Sequence, residues 1–236
     1  MRSLSVLIVA LCFSASLAQA QTVDEVVARN IDAKGGAEKL KSVQSMKLTG
    51  RLSARGTEAP FTIWSKRPNL ARQETEVQGT PMIRGFDGRS AWMVVGGAAQ
   101  EVGGPEAKVT RDQAEFDTPL LDYKTKGNSV ELVGTESLDG GKVYHLKVTT
   151  KNGLVQHYYL DADTGLEKKT SVTIDQGGQS VTVVSELSDY RDVEGLKVPF
   201  KVKQSINGTP LSELTIDKLE VNVPIEDSIF RMPKRP

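Results

Sequence analysis

Between Ser129 and Val223 the chain alternates apolar and polar positions with period two. Short runs rich in Val, Thr, Ile, Tyr and Leu are separated by turn clusters: Asp139-Gly140-Gly141, Asn152-Gly153, Asp161-Ala162-Asp163-Thr164-Gly165, Gln176-Gly177-Gly178, Asp192-Val193-Glu194-Gly195 and Asn207-Gly208. Alternation of this kind places every second side chain on one face of a strand, and the turn residues fold successive strands back antiparallel. The stretch therefore predicts about seven strands in a meander. Val198, Phe200, Val202 and Ile206 share one face, with Lys197, Lys201, Lys203 and Ser205 on the other. Tyr144, Leu146 and Val148 likewise oppose Lys147 and Thr149. A two-residue turn at Asn152-Gly153 would pair Lys151 with Leu154. Val155, His157 and Tyr159 would then join the Tyr144 face, and His145 and His157 would lie on opposite faces of the hairpin. Near the end, apolar positions switch from even (Leu214, Ile216) to odd (Leu219, Val221, Val223), which predicts a β-bulge near Asp217-Lys218.

Upstream, the pattern is mixed. Thr22-Val23-Asp24-Glu25 is a capping box, and Val23, Val26, Val27 and Ile31 then follow helical spacing until Gly35-Gly36. Ala37 to Lys41 allows one further short turn. Val43 to Ala54 alternates again, with Met46, Leu48, Gly50 and Leu52 on one side. Phe61 and Ile63 mark a second strand, followed by Leu70–Val77, Met82–Phe86 and Ala91–Val95. Residues 96–108 are rich in Gly and Ala and read as a loop. Thr110 to Tyr123 reads as a second helix carrying Phe116, Leu120 and Leu121 and interrupted by Pro119. The expected class is mainly β (α+β), with about eleven strands. An antiparallel sheet of that size coils or closes. Either it closes on itself, or an apolar cleft remains beneath helices too few to fill it.

The first twenty residues change the picture of where the protein works. Arg2, an apolar run and Ala18-Gln19-Ala20 form a secretory leader, so residues 1–20 are expected to be a cleaved signal peptide and 21–236 a single domain exported to the periplasm. Cys12 is the only cysteine and falls within the leader. Charge is balanced, with 30 basic and 30 acidic residues and no basic run, which argues against a nucleic-acid partner. A monomer is expected.

The candidate chemistry is sparse. There are two histidines, and no HExxH, CxxC, GxSxG, P-loop or GxGxxG pattern. The acidic clusters sit at strand turns and lack calcium-loop spacing. No catalytic residue, cofactor or metal is expected. What remains is apolar surface. Met46, Leu48, Phe61, Ile63, Leu146, Val148, Tyr159 and Phe200 are the expected inward residues, with Trp92 as a stacking candidate, and each fits core packing as well as cavity lining.

Four segments carry a resemblance. IDAKGGAEKL (31–40), YYLDADTGLEKK (158–169), SDYRDVEGLKVPF (188–200) and VNVPIEDSIF (221–230), taken together and in order, resemble the exported outer-membrane lipoprotein-sorting (LolA-like) family. That resemblance implies an unclosed half-barrel, strongly curved, with helices over its concave apolar face. It also implies a cavity for lipid or lipoprotein acyl chains and membrane-associated donor or acceptor proteins as partners. The alternative on the same fold is a protein-interaction or sensor domain without lipid cargo.

Overall fold

The computed structural model describes residues 21–77, 79–176 and 179–234; the expected leader lies outside them, as does the tip of the Gln176-Gly177-Gly178 turn. Thirteen antiparallel strands form one sheet. In chain order they are β1 (Ser45–Ala54), β2 (Thr57–Lys66), β3 (Leu70–Val77), β4 (Thr80–Phe86), β5 (Ala91–Val95), β6 (Ala98–Val102), β7 (Ser129–Leu138), β8 (Gly141–Thr149), β9 (Val155–Asp161), β10 (Glu167–Gln176), β11 (Gln179–Val193), β12 (Leu196–Ile206) and β13 (Thr209–Val221). The spatial order is β6-β5-β4-β3-β2-β1-β13-β12-β11-β10-β9-β8-β7, so β6 and β7 are free edges and the sheet is unclosed. Only the β1–β13 pair joins strands distant in sequence; every other neighbour is a hairpin partner.

Among the described residues three helices accompany the sheet: α1 (Val23–Ala33), α2 (Ala37–Ser42) and α3 (Gly104–Gln113). The capping box at Thr22 forms as the pattern predicts: the Thr22 hydroxyl accepts from the Glu25 amide at 3.3 Å and the Thr22 amide donates to the Glu25 carboxylate at 2.7 Å. Val26, Val27 and Ile31 are buried against Leu146, Val148, Tyr158 and Leu160 of β8 and β9. A short 3-10 turn (Asp227–Phe230) ends the described chain.

Three expectations change. The sheet has thirteen strands rather than about eleven, and one of the additions, β6, lies inside the Gly/Ala-rich stretch that reads as a loop. Its Ala98-Ala99-Gln100-Glu101-Val102 sequence has no alternation of apolar and polar residues, yet its backbone pairs with β5 from Ala91↔Val102 to Val95↔Ala98. The second helix starts at Gly104 and ends at Gln113, well before the Thr110–Tyr123 expectation. Pro105 in its first turn favours initiation there, where the missing N–H costs nothing.

The third change concerns register. β8 and β9 pair as Thr149↔Val155, Lys147↔His157 and His145↔Tyr159. The connection is longer than the two-residue Asn152-Gly153 turn: Thr150 donates its amide to Leu154 O at 2.9 Å and Gly153 donates to Thr150 O at 2.8 Å. Gly153 takes the left-handed position, φ 84°, as in three-residue hairpins. Asp112 at the end of α3 holds this loop, accepting from the Thr150 hydroxyl at 2.9 Å and from the Asn152 amide. The slip of one residue moves His157 and Tyr159 to the opposite face. His145 and His157 therefore share a face. His145 Nε2 and His157 Nδ1 are 2.7 Å apart, and Glu136 lies against the other His145 nitrogen at 2.5 Å.

The bulge expected near Asp217-Lys218 is present: Thr49 pairs with Lys218 and Gly50 with Ile216, skipping Asp217. Further irregularities fall in β7, β10 and β12–β13. Each adds local bend and twist, consistent with the curvature an unclosed sheet needs to face itself.

Candidate functional site

The concave face is covered in pieces. α1 lies over β8 and β9, where Leu146 and Val148 are fully buried; on its other side Val27 and Ile31 border, with Leu120 and Leu121, a cavity of about 400 Å³. α3 contacts β4, β5 and β10. Between these two covers runs residues 114–128, an irregular segment that carries Phe116, Leu120 and Leu121. Beneath it lies a cavity of about 240 Å³. Met46 and Leu48 from β1, Leu219 from β13, and Leu196 and Val198 from β12 form its walls and base, with Val43; Leu40, Phe116 and Leu121 form the roof. Lys34, Asp117, Thr118, Lys197 and Pro199 complete the lining.

The charged residues at its edge already have partners. Arg67 forks onto Asp117 at 2.6 and 2.8 Å, and it also donates to Val43 O at 2.6 Å and Leu40 O at 3.1 Å. Its guanidinium carbon stands 4.8 Å from the Phe116 ring centroid. One side chain thus ties α2, the connector that follows it and the roof segment together. A planar fork suits this task because it makes parallel bonds to both carboxylate oxygens. Lys34 donates to Glu167 at 2.8 Å, and Lys197 lies 3.5 Å from Asp192. Burial pushes the Glu167 carboxyl upward, but the adjacent Lys34 charge, with hydrogen bonds from Lys34 and the Tyr190 hydroxyl, outweighs it and holds the group below the usual range.

α1 is fastened by the segments that carry the family resemblance. Asn30 donates to Gly165 O at 2.8 Å and Arg29 to Asp163 O at 2.6 Å. Gly165 is left-handed, φ 78°, and a Cβ there would come within 3.0 Å of Arg29 O. Gly35, φ 121°, lies so close to Gly195 O that a side chain would collide with it. These motifs are turns, and they are also the contacts that seat the helix on the sheet.

The residues expected to line a cavity separate into groups. Met46 and Leu48 line it. Ile63, Phe61 and Phe200 belong to the same apolar cluster but are not lining residues; Ile63 pairs with Leu48, and Phe61, opposite Gly50, stands in the next inward row along the strands. Leu146 and Val148 pack under α1 in filled core. Tyr159 and Trp92 do not face the concave side. Tyr159 stacks on His145, ring centroids 4.4 Å apart, on the outer face reached through the register slip. Trp92 pairs with Gly85 and shares its face with Arg72, opposite the Phe86 and Ala91 surface that packs on α3. It is 1% exposed, with its indole N–H donating to Phe230 O at 2.8 Å, so the C-terminal turn covers it. Leu40, Val43 and Leu196 join the cavity without having stood out in the sequence, and Leu219, read there only for its parity, joins them. Leu196 follows the even parity of Val198, which was the available signal; Leu40 and Val43 lie in a short helix and a connector where no period shows.

Other concavities differ in character. A cleft of about 790 Å³ between Ser42–Ser45 and the C-terminal segment is lined by Lys66, Glu226, Asp227 and Arg231 among others, with Lys66 bonded to Asp227 at 2.6 Å. A second concave-face cavity of about 450 Å³ lies farther along β1 and β13. Among the described residues no cluster of three or more His, Cys, Asp or Glu is placed to hold a metal, and no helix is long and apolar enough to cross a membrane.

No protein-family model matches the chain, and no curated protein matches it by sequence. Solved structures do match by fold. A LolA superfamily protein from Nitrosomonas europaea aligns with TM-score 0.58 at 14% identity, covering 90% of this chain and 98% of its own. A putative outer membrane lipoprotein-sorting protein domain from Vibrio parahaemolyticus aligns with TM-score 0.58 at 13% identity, covering 88% and 95%. A DUF1329 family protein from Desulfovibrio piger gives TM-score 0.58 at 14% identity, covering 87% and 97%. The fold is LolA-like.

Proposed function

We propose that this LolA-like chain is an exported, non-enzymatic carrier that holds an alkyl chain of a lipid or lipoprotein between its sheet and its helices. One observation carries the reading: an apolar cavity of about 240 Å³ persists beneath Leu40, Phe116 and Leu121, while Leu146 and Val148 under α1 are fully buried. Its lining is mostly apolar, so exchanging water there for methylene groups is favourable, each contributing about 0.8 kcal/mol before association costs. The charges at its edge are already paired within the protein, so the grip would come from the chain rather than from the head group. Export through the leader at residues 1–20 would place the carrier in the periplasm, where acylated molecules crossing between membranes need shielding from water. The roof, tied by Arg67 to Asp117, is the part that would open for loading and release.

The test is native mass spectrometry of protein recovered from the periplasm, followed by rebinding after delipidation. Co-purified or rebound fatty acid, phospholipid or lipopeptide is the expected result. A protein that emerges empty and binds none of them, yet holds a stable protein partner, would favour the interaction-domain alternative.

A further inference from the structure

The cavity and the second concave-face cavity lie along the same strands, separated by one transverse row of side chains. On β1, Met46 and Leu48 face the first and Leu52 faces the second; Gly50 lies between. Gly50 pairs with Phe61 on one side and with Ile216 on the other, and Phe200 of β12 continues the row. Phe61, Ile216 and Phe200 are all buried. A Cβ at Gly50 would stand 2.9 Å from two atoms of the Phe61 ring, so the ring lies over the glycine and occupies the space a side chain would fill. Beyond this row the second cavity, of about 450 Å³, lies over the paired Leu52 and Leu214, with Met82 and the polar Gln73, Arg84 and Gln204 also on its lining.

We propose that this row is the floor that sets cargo length, with Phe61 as the specificity-determining residue, and that the cargo class is a single-chain amphiphile inserting about eight carbons. The inference rests on the carrier reading. The volume supplies the number: about 240 Å³ divided by a water-sized share of about 30 Å³ leaves room for about eight methylene groups, since a methylene and a water occupy similar space. Two parallel chains do not fit in that volume at any useful depth. The floor is made of side chains, not backbone, so shortening one of them joins the two cavities. Phe61 is the aromatic nearest the glycine, and its removal opens the most direct route.

The experiment is calorimetric titration of the delipidated full-length mature protein with straight-chain fatty acids of about six to about sixteen carbons, each below its aggregation concentration. Affinity for wild type should rise roughly fourfold per methylene up to about eight carbons and then level off. Phe61→Ala should carry the rise several carbons further, reaching tenfold or more over wild type at the long end. Phe61→Leu, which preserves more of the packing, should extend it by a smaller amount and serves if the alanine variant does not fold. A wild-type series that rises without levelling, or a plateau that both variants leave unmoved, overturns the inference while leaving the carrier reading intact. Failure of every chain length to bind wild type overturns both.

Discussion

Replacing Lys34 with methionine keeps a similar side-chain length and removes the ammonium that faces Glu167. The Glu167 side chain is 5% exposed, and its carboxylate accepts from Lys34 Nζ at 2.8 Å. The Tyr190 hydroxyl shares its proton between Glu167 O at 2.8 Å and Oε2 at 3.2 Å. Lys34 caps the C-terminal end of α1, so this pair also seats the helix over its core. Without the ammonium, a carboxylate remains buried with one hydroxyl for company. Stranding a buried charge in this way costs about 3–5 kcal/mol. For a protein of this size that lowers Tm by roughly 6–20 °C. The sign of the pH dependence follows from the direction of the shift. Glu167 is held below its ordinary value near 4.5 in the folded protein. The folded state thus binds the proton less readily than the unfolded state, so the pair's contribution is fully present above the unfolded value and is lost as pH falls through the folded one. The K34M deficit should therefore be largest at neutral pH and shrink in acid. Urea unfolding of wild type, K34M, E167Q and K34M/E167Q at neutral and acidic pH measures this directly. The double variant has no stranded charge and should recover at least half of the K34M loss. Additive losses in the double variant, or a K34M deficit indifferent to pH, would refute the reasoning.

Other outcomes follow from the same contacts. Leu146→Ala, in filled core under α1, should cost about 2–5 kcal/mol in urea unfolding and leave alkyl-chain affinity unchanged, whereas Leu48→Ala, which borders the cavity, should cost less and alter chain binding; equal effects on both properties would erase the distinction between core and cavity. Arg67→Ala removes charge-assisted bonds to Asp117 and should cost about 1.5–3 kcal/mol, with raised binding of an apolar fluorescent dye as Phe116 loosens; an unchanged dye signal would show that Arg67 does not hold the roof. Burial first, then the charges of His145 and Lys147, depress His157 below its ordinary 6.5 against the opposing pull of Glu136. Stability should then fall as pH drops through the unfolded value near 6.5 towards the folded one. His157→Gln should flatten that slope in thermal melts taken at several pH values, and a slope that survives the substitution would assign it elsewhere.

Much of the architecture is written in local patterns. The capping box at Thr22, the Val26/Val27/Ile31 stripe, the glycine stop and the parity switch that marks the Asp217 bulge are each short-range signals, and each is found in place. The cavity walls contributed by Met46 and Leu48 were legible for the same reason: a strand of strict alternation declares its faces once one of them is buried. The Asn152-Gly153 hairpin was not legible. Asn-Gly fits a two-residue turn, and Asp112, some forty residues upstream, is what engages Thr150 and Asn152 in the longer loop. A single residue of register then sends His157 and Tyr159 to the outer face, and no inspection of β9 alone could reveal it.

Alternation and turn chemistry act over a few residues, and they suffice to specify a large, curved antiparallel sheet with too little helix to cover it. Which apolar residues fill space and which enclose it depends instead on contacts between distant segments. Leu146 and Leu48 look alike along the chain. One meets α1 and is packed on all sides; the other meets a roof that arches from α3 to β7 and leaves a gap. Whether a buried side chain finds a neighbour or a void depends on how distant segments are fastened — here by Arg67, Glu167 and Gly35 — and such contacts have no period to read.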